Sequence, residues 1–368
     1  MKILVTGAKG FIGKNLTFFL TEQGFSDLIC IDRDSSSSDL ADALLEADFV
    51  FHLAGVNRPK DDREFKEGNT DLTQKIIDVL QSAGKKTPLL ITSSIHAEGS
   101  TAYGRSKAGA EEAVLAYGRD TGADVFVYRL PNVFGKWCRP NYNSAVATFC
   151  HNVANDLPLT INDESAKVSL VYIDDVCDSF CRHLSGTLTS GIQTVETVYP
   201  TTVGEIAGLL YKFKESRDSL IVENVGVGLE RALYSTYISY FKPSQFTYTV
   251  PSYQDPRGTF CELLKTKEAG QVSFFTAHPG ITRGGHYHHT KNEKFLVIKG
   301  QANFKFQQIE SGEFYEEIVS GDDFRVVETV PGWTHDVTNI GEDELIVMLW
   351  ANEVFDREKP DTFARVIE

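Results

Sequence analysis

The amino-terminal run KILVTGAKGFIGKNL joins an apolar strand to a helix through three glycines, Gly7, Gly10 and Gly13. In that context the glycines have separate physical tasks. Gly7 allows a tight turn, Gly10 lets backbone approach a pyrophosphate, and Gly13 lets the helix pack closely on the sheet. The helix N–H groups then face the phosphates. Downstream, LICID, DFVFHLAG, PLLITSS and DVFVYRLP read as buried strands. They alternate with helical stretches such as GKNLTFFLTEQG, TDLTQKIIDVLQSAGKK and SKAGAEEAVLAYGRDTG. Strand, helix, strand in repetition implies an α/β fold with a doubly wound parallel sheet of Rossmann type. The loop thus points to a dinucleotide. Asp32, closing the second strand, is placed to bond a ribose 2′-hydroxyl and favours NAD. Its neighbour Arg33, with Ser35 and Ser36, offers a 2′-phosphate donors and favours NADP. The SSSS patch at 35–38 reads as a surface loop.

The pattern loosens after residue 180, with further helices expected at about 203–213 and 228–241. Near FKPSQFTYTVPSYQDPRG the texture changes, as Pro243, Pro251 and Pro256 interrupt helices. Short alternating runs follow: TFCELLKT, QVSFFTAHP, EKFLVIKG, QANFKFQQI, DDFRVVET and DELIVMLWA. Turn residues separate them, as in an all-β sandwich or barrel. Two domains are expected, 1–243 and 244–368, consistent with 368 residues being too many for one ordinary core. No internal repeat is visible.

The formal net charge is −15, and it divides as −7 over residues 1–243 and −8 over 244–368. Neither half has the basic footprint of a nucleic-acid binder. The six cysteines, at 30, 138, 150, 177, 181 and 261, have the spacing of neither a disulfide framework nor a zinc knuckle, and read as reduced thiols. The chain opens directly into a strand and contains no apolar run of membrane-spanning length, so neither secretion nor membrane insertion is expected. A cytoplasmic protein is the expectation.

In YGRSK, Tyr103 and Lys107 stand four apart and share a helix face. An ammonium so near stabilises phenolate, so the tyrosine pKa is expected below its usual 10. A phenol tuned in this way exchanges a proton with a sugar hydroxyl while hydride moves on a nicotinamide. Ser94, ending the strand in ITSSIHA, is placed to hold the substrate oxygen.

TGAKGFIG, FHLAG (51–55), GNT (68–70), ITSS, YGRSK, RLPNVFG (129–135) and VYIDDV (171–176) follow one another in the order found in the extended short-chain dehydrogenase/reductases of nucleotide-sugars. The chain resembles that family over roughly residues 1–240. The resemblance implies Ser94, Tyr103 and Lys107 as catalytic residues. It implies Gly7, Lys9, Gly10, Phe11, Ile12, Gly13, Asp32, Arg33, Leu53, Ala54, Asn69 and Lys107 as cofactor-binding residues, with Asn69 ordering the lysine through water. It implies that Asn132 and GKWCRPNYNSA face the sugar nucleotide, with Lys136 and Arg139 partnering the diphosphate. One departure is plain. Only nine positions separate Ser94 from Tyr103 where relatives carry a longer insert, so the sugar-side wall that the insert builds is missing or replaced.

RGGHYHHTKNEKFLVIKG, residues 283–300, puts His286 and His288 on one face of a strand, followed by Glu293. His335 lies far away in PGWTHDVTN. Such a set suits a divalent metal, zinc first among zinc, copper, iron and nickel. The first motif fits H-x-H-x4-E-x6-G and the second supplies a proline, glycine, histidine and asparagine. Together they resemble the cupin signature and imply an all-β cupin (jelly-roll) domain with His286, His288, Glu293 and His335 as metal ligands. A second resemblance competes. DPRGTFCE (255–262) followed by TRGGHYH is similar to the cupin-class sugar 3,5-epimerases, which use the histidine at position 286 as a general base without metal. His286 is assigned to the metal, with base as the alternative. His289 points to the other face, and Tyr287, Lys291 and Lys294 are nearby acid/base candidates.

The order reductase then cupin resembles the bifunctional enzymes of capsular polysaccharide synthesis. That resemblance implies C3 epimerisation of a UDP-2-acetamido-2,6-dideoxy-4-keto-hexose, then NADPH reduction at C4 to UDP-N-acetyl-6-deoxy-L-talosamine, the precursor of UDP-N-acetyl-L-fucosamine. It implies a UDP-amino-sugar substrate and a homodimer. Two alternatives remain open: an NAD-retaining nucleotide-sugar 4-epimerase or dehydratase with a non-catalytic cupin, and a non-enzymatic cofactor or sugar sensor.

Overall fold

The computed structural model describes residues 1–186 and 189–368 and divides the chain into two compact units. The first is Met1–Leu210 with Gly226–Phe241; the second is Tyr211–Val225 with Lys242–Glu368. Tyr211–Val225, left in the first domain by the sequence reading, thus groups with the second.

In the first unit six strands form a parallel sheet in the order Leu28–Ile31, Ile3–Thr6, Phe49–His52, Leu89–Ser94, Val125–Leu130, Gly191–Gln193. Strands covered on both faces read as continuous apolar runs; Ile3, Leu4 and Val5 are accordingly fully buried. On one face Leu4, Val50, Leu89 and Val127 pack with Leu44, Ile76, Leu80, Val114 and Tyr117 from the helices. Each such aliphatic side chain contributes roughly 1.5–3 kcal/mol by leaving water. Strand order reverses between Ile3–Thr6 and Phe49–His52, which opens a crevice at their carboxyl ends. His52 stands there, 2.7 Å from Thr6 Oγ1 and 3.0 Å from Thr73 Oγ1. Burial pushes its pKa to about 3, so it is a neutral strut under the glycine loop.

The serine patch is not a loop throughout. Ser36 caps the helix Ser37–Glu46 by accepting from the Asp39 amide, and Asp39 returns the bond to the Ser36 amide. The expected helix at 203–213 runs on to Ser219, because no breaker intervenes before Leu220, whose φ is 62°. The helix expected at 228–241 is Gly228–Ile238.

Apart from helical residues 211–219 and a single turn at Pro243–Gln245, the second unit is built of β-strands. One sheet orders Ile221–Val222, Gly258–Thr266, Gly270–Ala277, Leu345–Ala351, Glu293–Lys299 and Val326–Glu328, with Ser252–Asp255 paired to Gly258–Thr266. The other orders Phe314–Ser320, Gln301–Gln308, Trp333–Asn339, Thr282–Tyr287 and Phe363–Ala364. Alternate residues of both sheets meet in a core of Phe275, Phe295, Val297, Phe304, Phe306, Val337 and Val347.

Candidate functional sites

A cavity of about 1100 Å³ occupies the crevice of the first unit. The glycine loop forms its floor. Gly7 has φ 69°, and a Cβ there would lie 2.7 Å from the Ala54 amide nitrogen. A Cβ on Gly13 would lie 2.2 Å from the Gly7 carbonyl oxygen. Both positions therefore exclude any side chain. The helix Phe11–Glu22 starts at Gly10 with no side-chain cap, so its first amides remain available to an anion. At the loop's far end the Asp32 carboxylate accepts from the amides of Lys9 and Arg33. Arg33, Ser35, Ser36, Ser37 and Lys75 line the cavity around it, and Lys75 Nζ donates to Ser37 Oγ at 2.8 Å.

Ser94, Tyr103 and Lys107 converge in the same cavity. Ser94 ends its strand and Tyr103 begins the helix Ala102–Thr121, capped by the Thr101 hydroxyl. The Tyr103 hydroxyl is hydrogen-bonded to Ser94. Burial raises the Tyr103 pKa and the Ser94 bond only partly offsets this. The expected lowering by Lys107 is therefore wrong. The Lys107 ammonium donates to the Thr92 carbonyl at 3.0 Å, and burial pushes it down to about 8, with Glu111 acting in the opposite sense. Burial thus weighs more on both groups than any attraction between them.

Asn69 sits on a π-helical turn, Lys66–Asp71, of the kind that re-aims a side chain at functional sites. Its amide is committed to both backbone groups of Val56 and to Ser106 Oγ, each at 2.9 Å. It approaches Lys107 only across Gly55, where a Cβ would lie 2.8 Å from Asn69 Oδ1 and 3.4 Å from Lys107 Nζ.

In the second unit His286, His288, Glu293 and His335 each offer a ligand atom, all within 4.8 Å of one another. His335 arrives through strand pairing, opposite His286 in the ladder. His288 Nε2 and His335 Nε2 lie 3.3 and 3.6 Å from Glu293 Oε2. Burial pushes His286 down to about 4, with His335 and His288 adding to it. Burial alone would raise Glu293, but bonds from His288 and His335 hold it well below the usual carboxylate range. A carboxylate beside a neutral imidazole is the protonation state that a divalent cation requires. The donor set, three imidazoles and a carboxylate, fits zinc and its neighbours.

A family model described as the NAD dependent epimerase/dehydratase family matches residues 3–187. The chain belongs to the NAD dependent epimerase/dehydratase family. A second model, the polysaccharide biosynthesis C-terminal domain, matches residues 253–363. The chain is 56% identical over 365 residues to the UDP-2-acetamido-2,6-beta-L-arabino-hexul-4-ose reductase of Pseudomonas aeruginosa, covering 99% of this chain and 98% of that one. It is similar along the full length of both chains to the capsular polysaccharide assembling protein CapF of Staphylococcus aureus, at 42% identity and a TM-score of 0.93. Bacillus cereus UDP-glucuronic acid 4-epimerase, solved with NAD, shares the fold over 65% of this chain with a TM-score of 0.56 and 21% identity.

As an NAD dependent epimerase/dehydratase family member, the chain places its expected residues unevenly. Gly7, Lys9, Gly10, Phe11, Ile12, Gly13, Asp32, Arg33, Leu53, Ala54, Asn132 and Arg139 all line the cavity. Arg139 lies over the Tyr142 ring at 5.4 Å. Lys136 and Asn69 do not line it. Lys136 pairs with Asp174 at 2.7 Å. In the second unit Lys291 is buried and bonded to Thr362, while Lys294 pairs outward with Glu328. His289 is exposed, against Tyr287 and Phe363. Sequence reasoning missed Lys75 and His96 on the cavity wall. His96 follows Ser94 by two positions, so its place was legible; Lys75 arrives on a helix with no motif to mark it.

Proposed function

We propose that the chain is a bifunctional nucleotide-sugar enzyme of polysaccharide biosynthesis. Its first unit reduces the C4 ketone of a UDP-2-acetamido-2,6-dideoxy-4-keto-hexose, and its second, a cupin, first inverts C3 of the same sugar. The convergence of Ser94, Tyr103 and Lys107 on a cavity floored by the glycine loop carries the reading. When bound, a nicotinamide supplies the hydride that the C4 carbon accepts. Tyr103 donates its hydroxyl proton to the C4 oxygen, Ser94 holds that oxygen by a hydrogen bond, and Lys107 offsets the charge developing on it. A raised tyrosine pKa serves this direction, because it keeps the phenol protonated until the oxygen needs the proton. The product is UDP-N-acetyl-6-deoxy-L-talosamine.

Arg33 and Lys75, with three serines, favour NADPH at the cofactor's ribose end. Asp32 favours a second reading, in which NAD is retained and the enzyme is a 4-epimerase. In the second unit the adjacent ketone acidifies C3–H. When bound at the His/Glu cluster, zinc polarises a carbonyl or pins the strands. Neutral His286 is also competent as the base if it is not a ligand. The reading carries with it the domains 1–243 and 244–368, a homodimer and a cytoplasmic site where UDP-sugars are made.

Incubation with the 4-keto UDP-amino-sugar in heavy water tests this. Deuterium is expected at C3 without cofactor, and stoichiometric NADPH oxidation when it is added. Tyr103→Phe stops oxidation and leaves exchange intact. Equal loss of both in Tyr103→Phe sinks the division of labour, and turnover without net NADPH consumption favours the NAD-retaining reading.

A further inference from the structure

The end of the chain is built against the His/Glu cluster. The Asp361 carbonyl oxygen lies 2.6 Å from His288 Nδ1. A carbonyl only accepts, so Nδ1 carries a proton, and in the neutral ring Nε2 offers its lone pair on the side of Glu293 Oε2, 3.3 Å away. A ring nitrogen facing a carboxylate oxygen calls for a cation on the line between them, either a proton on Nε2 or a metal ion. His288 is 1% exposed.

Asp361 is itself held in place. Its carboxylate accepts from the amides of His289, Thr290 and Lys291 at 3.1, 2.8 and 2.8 Å, and from the Thr290 hydroxyl at 3.0 Å. Its φ is 36°, on the left-handed side of the map, which aspartate enters more readily than most residues. The neighbouring residues repeat the attachment. Lys291 Nζ donates to Thr362 Oγ1 at 2.9 Å, the Phe363 ring stacks on Tyr287 at 5.4 Å, and Phe363–Ala364 pairs with His286 and Tyr287. The Arg365 amide donates to the Gly285 carbonyl at 2.8 Å.

We propose that residues 360–365 are a strap that presents His288 to a divalent metal through Nε2, with Asp361 as the positioning residue. This rests on reading the cluster as a metal site. The strap fixes both the tautomer and the ring plane, and outer partners of this kind change metal affinity by about 10–100-fold.

The test strips the full-length protein of metal and titrates zinc against a chromophoric chelator. Far-ultraviolet circular dichroism and thermal melting of the full-length protein serve as the folding control for each variant. Asp361→Ala is expected to weaken zinc by about 10–100-fold, Asp361→Asn to fall between it and the wild type, and His335→Ala to abolish binding. In metal-free protein, nitrogen-15 shifts of the His288 ring should show Nδ1 protonated in the wild type and a tautomer mixture in Asp361→Ala. Wild-type zinc affinity and an unmixed tautomer in Asp361→Ala, with binding lost in His335→Ala, overturn the strap and leave the metal site standing. Failure of the wild type itself to take zinc overturns the metal reading and the strap together.

Discussion

Lys107 shows how one residue is shaped by two demands. Placed on the helix face shared with Tyr103, it is readable as half of a proton-transfer pair from YGRSK alone. Its chemistry is not, because burial depends on what folds over it, and burial takes its pKa from 10.5 to about 8. Below pH 8 the folded and unfolded chains both hold this proton. Between pH 8 and 10.5 the unfolded chain keeps it and the folded chain has released it, so stability rises with pH through that window. Lys107→Met removes this contribution. Relative to the variant, the wild type should gain stability as pH rises from 8 to 10.5, read from denaturant midpoints. The same variant should lose reduction by roughly a hundredfold or more. A constant stability difference across the window would show that the lysine is solvated.

At the scale of elements, the glycine loop is the tightest joint in the first unit. The Gly13 position leaves no room for a methyl, as the Gly7 carbonyl would stand 2.2 Å from it. Gly13→Ala should therefore push the helix Phe11–Glu22 off the sheet, cost about 1–3 kcal/mol, and weaken cofactor binding. Thermal melting and nicotinamide fluorescence titration check the two effects separately. Five of the six parallel strands were legible as unbroken apolar runs, whereas Gly191–Gln193, three residues long and only partly buried, was not. Phe314–Ser320 was not, because it is an edge strand whose FYEEIVS is largely exposed and carries no clean alternation. The helix Ser37–Glu46 was obscured by its own cap, since a run of serines reads as a loop until the Asp39 bond to Ser36 is seen.

For the molecule as a whole, the two units should respond separately to metal. If the cluster binds zinc, chelation should speed amide exchange in 282–299 and 333–339 and leave the strands of the first unit unchanged, as read by hydrogen-exchange mass spectrometry. A cation present at a hundred times its dissociation constant stabilises by about 2.7 kcal/mol, and that amount is what the second unit stands to lose. The sequence by itself determined the two fold classes, the glycine loop, the Ser94, Tyr103 and Lys107 set and the four metal-ligand candidates. Apart from His335, which its own PGWTHDVTN motif marks, these are written in short-range spacing, which strand and helix periods convert directly into facing side chains. Tertiary structure alone decided that Lys136 pairs with Asp174, that burial raises Tyr103, and that Asp361 reaches back over 73 positions to His288. Those outcomes depend on which distant segments the chain brings together and how much water they exclude, and no local pattern encodes either.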